Sequence, residues 1–268
     1  MSLQTYIDEL WNSNRRDYTP GDRSLFEAFK QALHRGEVRA AEPTADGWRT
    51  NAWVKRGILL GFRMGAIALV HDTPAACYLD KDTYGVRHFV PEDRVRIVPG
   101  GSSVREGAYI GHGVTMMPPM YVNVGAYVDD GSMIDSHALV GSCAQVGKHV
   151  HLSAGAQLGG VLEPVGADPV IVEDNAFIGG NTGIYEGVRV GAGAIVAAGV
   201  ILTAGTPVFD ATRGCLLENP RVIPSRAVIV PGSRPLRGHE GYSVYCPILI
   251  KYRDERSDAA TALEEALR

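Results

Sequence analysis

A mainly β fold is predicted here: a parallel β-helix behind an N-terminal α-helical domain and ahead of a small C-terminal cap. The first supporting observation is an aliphatic residue at every sixth position, running Val104, Ile110, Met116, Val122, Val128, Ile134, Val140, Val146, Leu152 and Leu158. The ladder resumes at Val172, Ile178, Ile184, Val190, Val196, Leu202 and Val208, and shows again at Val222 and Val228. Neither an amphipathic helix, with its period of about 3.6, nor an alternating strand generates such a ladder. The second observation is what lies between the rungs. Gly111, Asn123, Asp129 and Gly141 follow an aliphatic directly, and small residues such as Ala126, Ser132, Ala138, Ala144 and Ala156 hold the fifth position, where a tight corner is expected. Short strands joined by corners stack their inward aliphatics and pair coil to coil at roughly 4.8 Å. The third is a contrast: residues 1–98 lack the ladder and show helical spacing instead.

In chain order, Leu3, Tyr6, Ile7, Leu10 and Trp11 mark one face of a short helix. A second helix is expected after Asp22 or Ser24, carrying Leu25, Phe26, Phe29 and Leu33 inward and stopping at Gly36. A third is expected from Asn51 to Phe62. Residues 38–42 read as a small strand, followed by a turn at Ala45-Asp46-Gly47. The β-helix is assigned to residues 99–232. It is interrupted by an excursion at Glu163 to Val170, rich in Pro and Gly, and by a second at Phe209 to Arg221. Residues 233–268 form the cap, with a strand over 243–252 and a helix over 254–268.

The chain of 268 residues is long enough to bury a large core, and its formal net charge of -4 leaves no basic footprint for nucleic acid. Cys77, Cys143, Cys215 and Cys246 are scattered without a CxxC pair, as expected of reduced thiols in a cytoplasmic protein. The opening stretch MSLQTYIDELWNSNRR lacks the apolar run of a signal peptide. No segment reaches the roughly 18 apolar residues of a membrane span. No Walker-type loop or GxGxxG in a βαβ setting is present, which argues against nucleoside triphosphate or nicotinamide chemistry.

Particular strings carry a family resemblance. Tyr121 to Asp129, Met133-Ile134-Asp135, Val140 to Lys148, His151-Leu152-Ser153, Gly159 to Pro164, Asp174 to Gly179 and Lys251 closely resemble the tetrahydrodipicolinate N-succinyltransferases, hexapeptide-repeat acyltransferases of lysine and diaminopimelate biosynthesis. The resemblance spans nearly the whole chain and implies a left-handed coil, although the general crossover rule favours the right hand. It also implies a homotrimer, with acyl-CoA in a groove between neighbouring coils and an amino-acid amine at its inner end. The family's key acidic residue corresponds to Asp135. A primary amine is largely protonated near neutrality and attacks a thioester only as the free base, so a carboxylate beside it has a task. Arg96 resembles an arginine that meets a substrate carboxylate, and Asn123, Ser153 and Gly160 fall in the matched strings as substrate-binding candidates.

Two departures bear on specificity. Family members read Ala-Arg-Ser-Glu-Val-Val-Glu-Gly where this chain has Gly180 to Gly187, so Asn181 and Gly183 replace an arginine and a glutamate. An arginine there would pair with the free carboxylate of a succinyl group, and Asn181 makes an uncharged donor such as acetyl-CoA plausible beside succinyl-CoA. Glu186 is kept, as a catalytic or a structural residue. Family members have Thr-Trp where this chain has Ser136-His137, which makes His137 a second candidate base and reshapes the acceptor pocket. A specialised relative acting on another amino acid, in a branch such as tabtoxin biosynthesis, fits both changes.

For coenzyme A, Ala197, Ala198, Gly199, Ala204 and Gly205 allow close approach of the pantetheine arm, and Arg226, Arg234 and Lys251 are candidates for its phosphates. Two rival classes remain. A metal enzyme of the γ-carbonic anhydrase type would use histidines such as His112, His137, His149 and His151, but the strings do not support it and no metal is expected. A non-catalytic trimeric scaffold is the other.

Overall fold

The computed structural model describes residues 2–73 and 76–254. Its ladder residues build a three-sided parallel coil of two-residue strands, each paired with its counterpart one coil on, as Tyr109-Ile110 pairs with Tyr127-Val128. One side stacks Ile110, Val128, Val146, Val172, Val190 and Ile223. The next stacks Ile97, Met116, Ile134, Leu152, Ile178, Val196 and Ile229. The third stacks Val104, Val122, Val140, Leu158, Ile184 and Leu202. They are named below the Ile110, Ile134 and Val140 sides. Nearly all of these residues are buried in one continuous core, and each contributes about 1.5–3 kcal/mol of burial.

Three expectations change at this level. The later rungs are Ile223 and Ile229, paired with Val190 and Val196, not Val222 and Val228. The second excursion shifts the phase by one residue, and an aliphatic neighbour at each place hides the shift. The small fifth-position residues do not make the corners: Ala126, Ser132, Ala138, Ala144 and Ala156 are buried inside the coil. The corner is made one residue earlier, in left-handed backbone, at Gly125, Gly131, His137, Cys143 and Gly155. The coil also starts before residue 99, because Arg96-Ile97 already pairs with Thr115-Met116.

The head holds α1 (Leu3–Asn12), α2 (Pro20–His34) and α3 (Ala52–Met64). Helix α2 begins earlier than expected because Thr19 and Asp22 form a reciprocal capping box around Pro20. Strands Ala41–Thr44 and Gly47–Thr50 form a hairpin, and so do Ile67–Thr73 and Ala76–Lys81. The head docks on the Ile110 side: Arg39 lies 3.5 Å from the centre of the Tyr127 ring, and Trp48 donates to Glu173 at 2.9 Å. Lys55, buried and with its ammonium pKa held down by burial, donates to the carbonyl of Ala167. Thr50 donates to Asp168 at 2.6 Å, so the first excursion is tied to the head.

The second excursion carries the hairpin Phe209–Asp210 with Cys215–Leu216. The strand expected over 243–252 divides in two. Ser243–Tyr245 pairs with Ser233–Pro235, while Ile248–Tyr252 runs antiparallel to Ala227–Val230 and closes the Ile134 side. The helix expected over 254–268 falls, but for its first residue, outside the described residues. Cys143 and Cys246 are buried, Cys77 and Cys215 exposed, and burial pushes the Cys143 thiol up to about 12. No helix among the described residues is long and apolar enough to cross a membrane.

Candidate functional site

The coil sorts the candidate residues by edge. Backbone bonds from His137 to Pro119, Gly155 to Ser136, Asn181 to Ala154 and Gly199 to Gly180 stack successive corners between the Ile134 and Val140 sides. Asp135, His137, Ser153, Asn181, Ala197, Ala198 and Gly199 therefore share one edge. Asp135 leaves the coil directly after the inward Ile134. Its Oδ1 accepts the Ser136 N–H at 2.7 Å, and Oδ2 lies 4.0 Å from His151 Nε2. His151 is one coil above Met133 and meets the Phe177 ring edge-on at 4.9 Å between centroids. The edge has one carboxylate, one exposed imidazole at His137, and close-packed small residues above. A Cβ on Gly179 would come within 2.4 Å of the Ala198 nitrogen.

Other candidates lie on the next edge, between the Val140 and Ile110 sides. Asn123 is occupied there: its Oδ1 accepts the Val124 N–H at 2.8 Å and the Tyr121 hydroxyl at 3.3 Å. Gly160 lies against Ser142, and Glu186 accepts the Ala204 N–H at 3.1 Å. Gly160, Glu186 and Ala204 line a cavity of about 730 Å³ with Glu163, Tyr185 and Arg221, part of whose wall is the first excursion. Gly205 follows Ala204 on this edge.

Arg226 is on the third edge, in left-handed backbone, and its guanidinium donates to the Arg253 carbonyl at 3.0 Å. Lys251 pairs across from Val228 and forms an exposed ion pair with Asp254 at 3.2 Å. Arg234 is in the hairpin beyond the coil. Arg96 lines a separate depression of about 430 Å³ with Met117, Met133 and His149 on the outside of the Ile134 side. The chain thus joins Asp135 to His137, Ser153 and Asn181, and Glu186 to Gly160 and Ala204, but it does not join the two groups. Among the described residues, no three His, Cys, Asp or Glu side chains converge as metal ligands.

Comparison with known proteins places this geometry in a family. Residues 2–64 match the model of the tetrahydrodipicolinate N-succinyltransferase N-terminal domain, and residues 169–204 match the hexapeptide repeat of succinyl-transferase. The 2,3,4,5-tetrahydropyridine-2,6-dicarboxylate N-succinyltransferase of Afipia carboxidovorans is 42% identical over 257 residues, covering 92% of this chain and 90% of its own. That of Bordetella avium is 38% identical over 277 residues, covering 100% and 99%. The chain belongs to the 2,3,4,5-tetrahydropyridine-2,6-dicarboxylate N-succinyltransferase family.

Sequence reasoning missed two neighbours of the site in this family member. His151 is considered in the sequence only as a metal ligand of the rival class, yet its Nε2 lies 4.0 Å from the Asp135 carboxylate. Its position one coil from Met133 is the signal that would have found it. Tyr185, directly before Glu186, packs on two glycines. A Cβ on Gly159 would meet its ring at 2.6 Å and one on Gly183 at 2.4 Å.

Proposed function

We propose that this protein is a cytoplasmic, CoA-dependent N-acyltransferase that moves a succinyl or acetyl group from acyl-CoA to the amine of an amino acid, and that it works as a homotrimer. The observation that carries this reading is Asp135, held on the coil edge by the Ser136 N–H, directed off the core, and stacked below Ser153 and Asn181. The amine nitrogen attacks the thioester carbonyl, the carbon–sulfur bond breaks, and the proton lost by nitrogen reaches the departing thiolate to give free coenzyme A. Asp135 orients the amine and receives that proton in passing, with His137 within the same corner as a second acceptor. Family membership supports the reaction class.

The two-edge arrangement supports the trimer. Asp135 and Glu186 are separated by one side of the prism and by two coils, the coils alone adding roughly 10 Å. One copy's Asp135 edge set against the Glu186 edge of a neighbour would unite them in a groove, with Ala197, Ala198, Gly199, Ala204 and Gly205 as close-approach surfaces for the pantetheine arm and Arg226 and Lys251 for phosphates. Arg96 would take a substrate carboxylate.

Donor choice follows from charge. Along the corners from Met117 to Gly199 the Asp135 edge carries no lysine or arginine, and Asn181 is neutral. A succinyl carboxylate finds no guanidinium there, and a charge-assisted hydrogen bond of that kind is worth about 1.5–3 kcal/mol, roughly ten- to hundredfold in rate. Initial rates with acetyl-CoA and succinyl-CoA against a panel of amino acids are expected to show acetyl transfer at least comparable to succinyl transfer. A succinyl preference above about a hundredfold overturns the donor assignment.

A further inference from the structure

Among the described residues Tyr185 is the one aromatic side chain lining the cavity beside Glu186, and the coil is shaped to seat it. The outward column of the Val140 side reads Tyr121, Leu139, Gln157, Gly183 and Ile201. Only at Gly183 is the side chain absent. A Cβ there would lie 2.4 Å from Tyr185 Cε2 and 2.8 Å from its hydroxyl oxygen, and a Cβ on Gly159 one coil below would lie 2.6 Å from Cδ1. The ring therefore lies flat over two bare stretches of backbone. It remains half-buried and is not part of the apolar core. Glycines in regular structure cost conformational entropy, and what this pair obtains is an aromatic surface facing the cavity.

Its position points to the acyl group. The Tyr185 N–H bonds to Leu202 and the Glu186 carboxylate to the Ala204 N–H, so the ring is one coil below the Ala204-Gly205 surface assigned to the pantetheine arm. An arm running along that edge delivers its thioester end over the ring. We propose that Tyr185 tunes the size of the acyl group transferred: its ring covers the trough above Gly159 and Gly183, which would otherwise be open to the acyl chain, and so favours a two-carbon acyl group over a four-carbon one. This rests on the acyltransferase reading above and adds the substrate class, short acyl thioesters.

The test compares kcat/KM for acetyl-CoA, butyryl-CoA and succinyl-CoA with one amine acceptor in wild type, Tyr185→Phe and Tyr185→Val. Wild type and Tyr185→Phe are expected to favour acetyl over butyryl by roughly 10–200-fold, the range by which a pocket discriminates methylenes. Tyr185→Val is expected to bring butyryl within a few-fold of acetyl, and succinyl, which has the same chain length, to rise with it. A wild type that takes butyryl as well as acetyl, or a Tyr185→Val variant with the wild-type ratio, overturns the proposal while leaving acyl transfer itself in place. Should Tyr185→Val not fold, calorimetric Kd values for acetyl-CoA and butyryl-CoA on the wild type decide, equal affinities counting against the proposal. Absence of turnover with every donor and amine removes both this inference and the reading beneath it.

Discussion

Asp135→Asn is expected to lower acyl transfer by about 10²–10⁴-fold, the usual contribution of a positioned acid–base group, with the coil intact. Asparagine keeps an oxygen that can accept the Ser136 N–H now received by Oδ1 at 2.7 Å, so the corner retains its shape. What it loses is the charge that draws the acceptor ammonium and the capacity to take its proton. Nothing in the core depends on that charge, since Ile134 alone faces inward at this step. Steady-state rates on variant and wild type, with circular dichroism as the control for folding, check the expectation. Turnover within a few-fold of wild type would remove Asp135 from the chemistry and leave His137 as the candidate base.

The second large effect is on stability. Gly141→Ala would place a Cβ 2.2 Å from the Gly160 nitrogen and 2.6 Å from the Leu158 oxygen. Both are backbone atoms of the coil above, in a stretch where Gly141 donates to Leu158 and Val161 to Ser142. No side chain can rotate away, so two coils must separate where the ladder is tightest. A loss of about 3 kcal/mol is expected, the upper end for overpacking, or a melting temperature lower by roughly 6–12 °C for a chain of this size. Gly166→Ala, which meets nothing within 4 Å, is the control and should stay within about 0.5 kcal/mol of wild type. Equal melting curves for the two variants would mean that the coils stack more loosely than described.

The clash at Gly141 also bears on what was legible in the sequence. Gly160 was expected to bind substrate, and it does line the cavity, but its lack of a side chain is equally required by Ser142, 2.8 Å from where a Cβ would stand. Glycine spacing alone cannot separate the two causes. The ladder was readable because one inward aliphatic per side is the minimum that closes a coil, and so was the first excursion, whose surplus length must leave it. The edges were not read, although they were within reach. Discounting the eight extra residues of that excursion puts Asn181 two coils above His137, on the same edge. The placement of Arg226 on the third edge and of Lys251 in the closing strand was not legible, because a cation's identity says nothing of which edge or strand carries it. The helix expected from Asp22 began at Pro20 because a capping box, not the first apolar residue, sets the start.

The account rests on an amine capturing an acyl group from coenzyme A at the Asp135 edge. The most direct measurement is simultaneous: free thiol released from acetyl-CoA or succinyl-CoA, and the mass of the amine acceptor, followed in one reaction. The account predicts one coenzyme A thiol for each acceptor that gains one acyl group, with both signals lost together in Asp135→Asn. Thiol release without an acylated amine, or equal release with and without any amine across the panel, would contradict it.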